Sequence, residues 1–222
     1  MDQPVSLRER KKDQTRRLLM RTALELFERR GFDRVSVAEV AAASSVSKKT
    51  VFNYFACKED LVLGAGKHHI DEPARAVRER RAGQTPHDAV REYLLTALAE
   101  RQPMTGLSAS PYVRRLQRLI ADTPALTARN LHYQQESRGL LAEALAEEGA
   151  SEVSAALIAA QILAVQEVLA AQNARRVLAG ESPDSVYADA VTATEHAFHL
   201  LERGLGDLLR RSAATTTYAD SD

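Results

Sequence analysis

Residues 36–55 read SVAEVAAASSVSKKTVFNYF, and the fold turns on how this stretch is punctuated. Ser36-Val37-Ala38-Glu39 has the spacing of a capping box: the serine oxygen takes the backbone N–H three residues on, and the glutamate reaches back to the serine N–H. Val40 and Ala41 are then the first buried residues of a helix that runs only to about Ala43. Ser44-Ser45 interrupts it, and Ser47 caps a second short helix that continues through about Tyr54. Two short helices joined by a tight turn, after a longer helix, make a helix-turn-helix arrangement.

Working outward, residues 13–30 form the longer helix, with Leu19, Ala23, Leu26 and Phe27 on one face and Gly31 as its stop. On the other side a helix starts near Lys58 and runs toward Gly83, bent or restarted at Asp71-Glu72-Pro73. Four prolines then follow Ser or Thr directly, at Thr85-Pro86, Ser110-Pro111, Thr123-Pro124 and Ser182-Pro183, the pattern of an N-cap with proline at the first helical position. Each introduces a 3.6-residue apolar period, such as Leu94, Leu95 and Leu98, or Val191, Phe198 and Leu201. Residues 150–179 are apolar around much of the circumference, which predicts burial on two sides. No stretch alternates as a strand does. The fold class is all-α: a three-helix domain over 1–57, a six-helix body over 58–211 and a frayed polar tail over 212–222.

Composition excludes several classes of function. One cysteine in 222 residues rules out an intramolecular disulfide framework and a cysteine-rich zinc module. The front of the chain has charges every few positions and no apolar core of a signal peptide, and no uninterrupted apolar run of membrane-spanning length is found, so the expectation is a cytoplasmic protein without a membrane span. The formal net charge is zero, but residues 1–60 hold 13 Lys/Arg against 9 Asp/Glu and the remainder 17 against 21. A basic front on an acidic body suits an N-terminal module that meets a polyanion, although a solvated face has the same charge pattern.

The helix after Ser47 carries the chemistry. A recognition helix presents its first turn to the major groove, where free N–H groups and the positive dipole end favour phosphate and short polar or cationic side chains reach base edges. Ser47, Lys48, Lys49 and Thr50 supply that turn, Phe52 can meet a thymine methyl, and Asn53 can pair with a base or phosphate. Tyr54 and Lys58 stand at the flank for backbone phosphates, and Ser36 completes the candidate DNA-binding set. Val51 and Phe55 should face the core. The competing reading packs Phe52 and Tyr54 internally and leaves the lysines as solvated surface.

Thr22-Ala23-Leu24-Glu25-Leu26-Phe27, Gly31-Phe32, Val35-Ser36-Val37, Val40-Ala41, Val46-Ser47, Thr50-Val51-Phe52, Tyr54-Phe55 and Lys58-Glu59-Asp60-Leu61, in this order and spacing, resemble the DNA-binding domain of the tetracycline-repressor (TetR) family of bacterial transcriptional regulators. The chain departs from the family pattern at Ser45 (usually the turn Gly), Lys49 (usually Gly), Phe52 (usually Tyr) and Cys57 (usually Ser or Asn). Residues 116–129, LQRLIADTPALTAR, look like the body of a mycofactocin-regulator-like subgroup that accepts acyl-CoA-like ligands. The resemblance implies a homodimer through the last two long helices, about 151–179 and 183–203, placing two recognition helices on a palindromic operator. The apolar and small-residue periodicity of these last two helices also suits a dimer interface, and the competing reading makes both core helices of a monomer.

Helices spanning 58–148 can enclose an apolar cavity with a few convergent polar groups, and the candidate ligand residues are Tyr93, Leu98, Met104, Tyr112, His132 and Gln161. Leu98 and Met104 also read as plain core, and the two tyrosines and His132 as half-exposed surface. The loop over 103–110 is an entrance flap or a simple connection. His196 and His199 lack an evident third metal ligand, and Cys57, beside Lys58 at a helix start, is placed for a stabilised thiolate. No catalytic set is discernible. The expectation is a ligand-responsive repressor, not an enzyme and without cofactor, released by a small hydrophobic or acyl-CoA-like effector. The rivals are an activator or effector-independent DNA-binding protein and a small-molecule carrier or enzyme.

Overall fold

Side-chain caps set where this chain enters helix. In the computed structural model, which describes residues 7–204, Ser36 Oγ accepts from the N–H of Glu39 (3.2 Å) while the Glu39 carboxylate accepts from the N–H of Ser36 (2.8 Å). These bonds, with Arg30 nearby, hold the Glu39 carboxyl down to about 2. Ser47 caps the next helix through Thr50 N–H (3.0 Å), and Thr85 and Ser182 cap theirs at 3.1 Å each. Ser110 and Thr123 make no such bond. There the following proline, with its φ already helical, sets the start without a side-chain cap.

The elements among the described residues are α1 (Leu7–Arg30), α2 (Val37–Ala43), α3 (Lys48–Tyr54), α4 (Asp60–Leu63), α5 (Glu72–Arg78), α6 (Pro86–Ala99), α7 (Pro111–Ala121), α8 (Pro124–Glu147), α9 (Glu152–Leu178) and α10 (Pro183–Arg203), with 3-10 turns at Gly66–His69 and Pro103–Thr105. No strand occurs among them. Helix α1 begins six residues before the predicted start at Asp13. The single helix expected from Lys58 to Gly83 is three short pieces, α4, a 3-10 turn and α5. Gly64 ends α4 so tightly that a Cβ there would lie 2.4 Å from the Asp60 carbonyl and 3.3 Å from the Phe55 ring, and Pro73 removes an N–H where the chain restarts.

Two cores matter for the site. The first gathers Leu19, Phe27, Val35, Val40, Val51, Phe55 and Leu61 beneath the helix-turn-helix, and Leu126 and Tyr133 of α8 complete it. Packing is therefore continuous across residue 58. At this seam Asp60, 4% exposed, accepts from Arg129 Nε (3.0 Å) and from Tyr133 Oη (2.7 Å). Burial alone would raise the Asp60 pKa, but bonds from Arg129, Tyr133 and Cys57 outweigh it and hold the carboxyl below its ordinary range. The second core joins Val77, Leu94, Leu141, Leu145, Ile162 and Phe198 from α5, α6, α8, α9 and α10.

Helix α9 differs from its expected burial on two sides. Ala155, Ala159, Ile162, Leu163, Asn173 and Val177 face inward, while Val153, Leu157, Gln161, Ala164, Val168 and Ala171, spaced by three or four residues, are all exposed. By length and composition α9 also passes as a membrane-crossing helix, with mean hydropathy 1.8 over an 18-residue window. A core helix passes the same test, and Gln161, Gln166 and Glu167 interrupt the apolar run, as the sequence reading expects.

Ser45 closes the turn between α2 and α3 with φ 54°, a left-handed conformation that disfavours a side chain. Ser45→Gly is expected to stabilise the fold by up to about 1 kcal/mol, the strain relief being partly offset by added freedom of the unfolded chain, and urea denaturation measures it. Asp60→Asn is expected to destabilise by about 2 kcal/mol at neutral pH, because it leaves Arg129 without its counter-charge. A depressed carboxyl contributes stability above its unfolded pKa and loses it as pH falls through the folded one. The gap between Asp60→Asn and wild type should therefore be full near pH 7 and shrink below about pH 4 in acid titrations of stability.

Candidate nucleic-acid interface and pocket

Helix α3 has two faces of opposite character. Val51 and, at its C-cap, Phe55 are buried in the first core, and Tyr54 is half-buried against the same cluster. Lys48, Lys49, Phe52 and Asn53 share the outer face and are exposed, with Ser47 exposed at the cap and Thr50 half-buried beside it. Phe52 is 46% exposed, and the Lys48 ammonium lies 5.8 Å from its ring centre. An uncovered aromatic beside two cations and an amide is a surface built for contact: the ring offers an apolar face, the lysines charge, and Asn53 a donor and an acceptor. Cations at the first helical positions lie where the free N–H groups also attract phosphate.

Two candidates sit differently from the rest. Ser36 is exposed but engaged in the α2 capping box. Lys58 turns inward: its ammonium donates to the Phe32 carbonyl (2.5 Å) and lies 4.1 Å from the centre of the Phe32 ring and 5.5 Å from that of Phe27. Its charge is engaged within the domain by the Phe32 carbonyl and the two rings. Arg16, absent from the sequence-based set, donates to the Gly64 carbonyl (3.0 Å) and stacks 5.4 Å from the Phe55 ring centre, joining α1 to the end of α3. Its partners stand 39 and 48 residues away, so no local pattern announced it.

The six proposed ligand residues do not converge. Leu98 and Met104 line one internal space of about 20 Å³ together with Leu94, Gln166, Asn173 and Thr194. That volume holds about one water molecule. Tyr93 is tied elsewhere, donating to Glu72 (2.6 Å), and its burial together with this carboxylate raises its hydroxyl pKa. Tyr112 is half-buried on α7, and His132 is exposed on α8 because Tyr133, Ser137 and Leu141 take the inward positions of that helix. Gln161 falls on the exposed stripe of α9. The residues missed, Gln166, Asn173 and Thr194, come from α9 and α10. Gln166 Oε1 is buried without a hydrogen-bond partner among the described residues.

The loop after α6 is a strut and not a flap. Thr105, Gly106, Leu107 and Ser108 are buried, and Asn173 Nδ2 donates to the Thr105 carbonyl (3.0 Å). Gly106, at φ 78°, lies so close to α9 that a Cβ would stand 2.3 Å from the Ala170 carbonyl oxygen. The thiolate expected at Cys57 is corrected too: burial, and then Asp60, push the thiol up to about 11, so it stays protonated at neutral pH. Among the described residues no group of three His, Cys, Asp or Glu is placed to hold a metal ion, and His196 and His199 are both exposed on α10.

Residues 19–65 match the family described as bacterial regulatory proteins, tetR family. The transcriptional regulator TcmR of Streptomyces glaucescens is 34% identical over 143 residues, which are 63% of this chain and 62% of TcmR. The chain thus spans less than two thirds of that relative. Among solved structures, a putative transcriptional regulator from Pseudomonas aeruginosa PAO1 superposes with a TM-score of 0.56 at 21% identity, over 87% of this chain and 93% of that one. NalD, the secondary repressor of the MexAB-OprM multidrug efflux pump in Pseudomonas aeruginosa, does so with a TM-score of 0.54 at 18% identity, over 84% and 96%. At these identities the two structures speak for a shared fold.

Proposed function

We propose that this chain, whose residues 19–65 match the tetR family of bacterial regulatory proteins, is a DNA-binding transcriptional regulator, a homodimeric repressor relieved by a small effector. The observation that carries the reading is the outer face of α3, where Lys48, Lys49, Phe52 and Asn53 stand exposed on a helix whose inner face is locked in the core. Ser47, Lys48 and Thr50 bring the helix start to the phosphates, while Lys49, Phe52 and Asn53 meet base edges. Ser36 and Tyr54 flank the contact. Lys58 positions the domain through Phe32, without touching DNA. The domain division falls at 57/58, with α4 to α10 serving effector binding and dimerisation. TcmR, the relative named above, is an HTH-type transcriptional regulator.

Dimerisation is supported by the uncovered stripe of α9, where Val153 is 69%, Leu157 56% and Val168 64% exposed. A single chain in water gains nothing by leaving such a stripe open, and a two-fold partner buries it. The same pairing spaces two recognition helices for a palindromic site. The effector we propose is small and mainly apolar, since the space beside Leu94, Leu98 and Met104 is apolar with Gln166, Asn173 and Thr194 at its edge. An acyl-CoA-like molecule is one instance, its acyl chain taking the apolar part. Entry requires the space to widen. Coupling to the DNA-binding domain then runs through α8, whose Arg129 and Tyr133 hold Asp60 on α4, and effector and DNA each weaken the other's binding.

The purified protein is expected to bind duplex DNA from the region upstream of its own gene in excess random competitor, and Lys48→Ala/Lys49→Ala to lose that binding. Sequence-indifferent binding by the wild type, in a mobility-shift assay, would count against site-specific regulation. Leu157→Glu/Val168→Glu is expected to convert the dimer to a folded monomer in sedimentation velocity, whereas a dimer that survives both charges would move the interface elsewhere.

A further inference from the structure

The first two turns of α1 stand clear of the packed domain. Residues 8–14 are all exposed, Thr15 and Arg16 are the first half-buried positions, and Leu19 is the first fully buried one. At 1.5 Å per residue these turns project about 12 Å beyond their support. They carry Arg8, Arg10, Lys11 and Lys12. Asp13 pairs with Arg17 (2.6 Å), and among the described residues none of those four cations enters an ion pair.

This arrangement runs against the electrostatics of a helix. The first turn bears the positive end of the dipole and favours acidic side chains. Here Glu9 is the acidic residue of the first turn, flanked by Arg8 and Arg10, Lys11 and Lys12 follow in the second, and Arg8 and Lys12, four residues apart, repel each other along one face. The charge makes sense as a complement to an anion outside the chain. Its location names the anion. Arg16, at the base of the projection, packs on the Phe55 ring and the Gly64 carbonyl, so the arm leaves the domain beside the C-terminal end of α3, the helix opened by Lys48 and Lys49.

We propose that residues 8–12 form a phosphate-binding arm that grips the DNA backbone outside the groove occupied by α3, adding affinity without sequence preference. This rests on the DNA-binding reading above. The arm supplies point charges on long flexible stems, suited to phosphates and not to base edges.

The test compares the full-length protein with R8Q/R10Q/K11Q/K12Q, whose glutamines keep helix propensity while removing charge. Binding to a labelled duplex of mixed sequence is followed by fluorescence anisotropy between about 50 and 200 mM salt. Each lost phosphate contact should flatten the plot of log K against log salt by about 0.9, so the variant's slope falls by up to about 3.6 and its deficit grows about a hundredfold toward low salt. R8K/R10K should retain the wild-type slope. A wild-type slope in the glutamine variant, with DNA binding intact, overturns the arm and leaves the regulator reading standing. A changed preference for the upstream sequence at constant slope also overturns it, as that is base reading. A wild type that binds no duplex removes the regulator reading first and the arm with it.

Discussion

The carboxylate of Asp60 is the point on which the two halves of this chain agree. It sits at the start of a four-residue helix, almost fully buried, and both of its strong partners, Arg129 and Tyr133, come from one long helix of the body. A buried charge is stable only while its partners stay in place. The orientation of the helix-turn-helix is therefore tied to the path of α8, and Leu126 and Tyr133 add apolar contact to the same joint. Without it, three short pieces of helix between residues 60 and 78 would be a loose hinge. With it, they are a bracket.

How far this was legible in the sequence depended on distance along the chain. Ser36 with Glu39, Ser47 with Thr50, and Thr85 with Asp88 act over three residues, and each left a local signature that read correctly. The inward period of Val51 and Phe55 likewise followed from helix geometry, which left Phe52 pointing away. Lys58 was different. Nothing in its neighbours said that Phe32, 26 residues earlier, would offer a carbonyl and a ring face. The same holds for Asp60 and Arg129, 69 residues apart, and for a pocket whose polar edge came from α9 and α10. Periodicity reports which face of a helix is apolar, not what lies against it.

Helix α9 shows the limit from the other side. Its apolar circumference was plain, yet the same composition describes a core helix, a membrane helix and one side of an association surface. Its two faces do not sort by side-chain size: Ala155, Ala159, Ile162, Leu163 and Val177 face inward, while Val153, Ala164, Val168 and Ala171 are exposed.

The contact at Gly106 has a mechanical corollary. With no room for even one methyl group against the α9 backbone, and with Asn173 bonded to Thr105, the loop, α9 and the end of α6 form a stator. Of the walls around the small internal space, that leaves two compliant parts: the flexible Met104 side chain and α10, which contributes only Thr194. A molecule larger than the present space would displace the Met104 side chain, α10 or both. Since α10 packs on both α6 and α9, widening of that space would load those two helix contacts first.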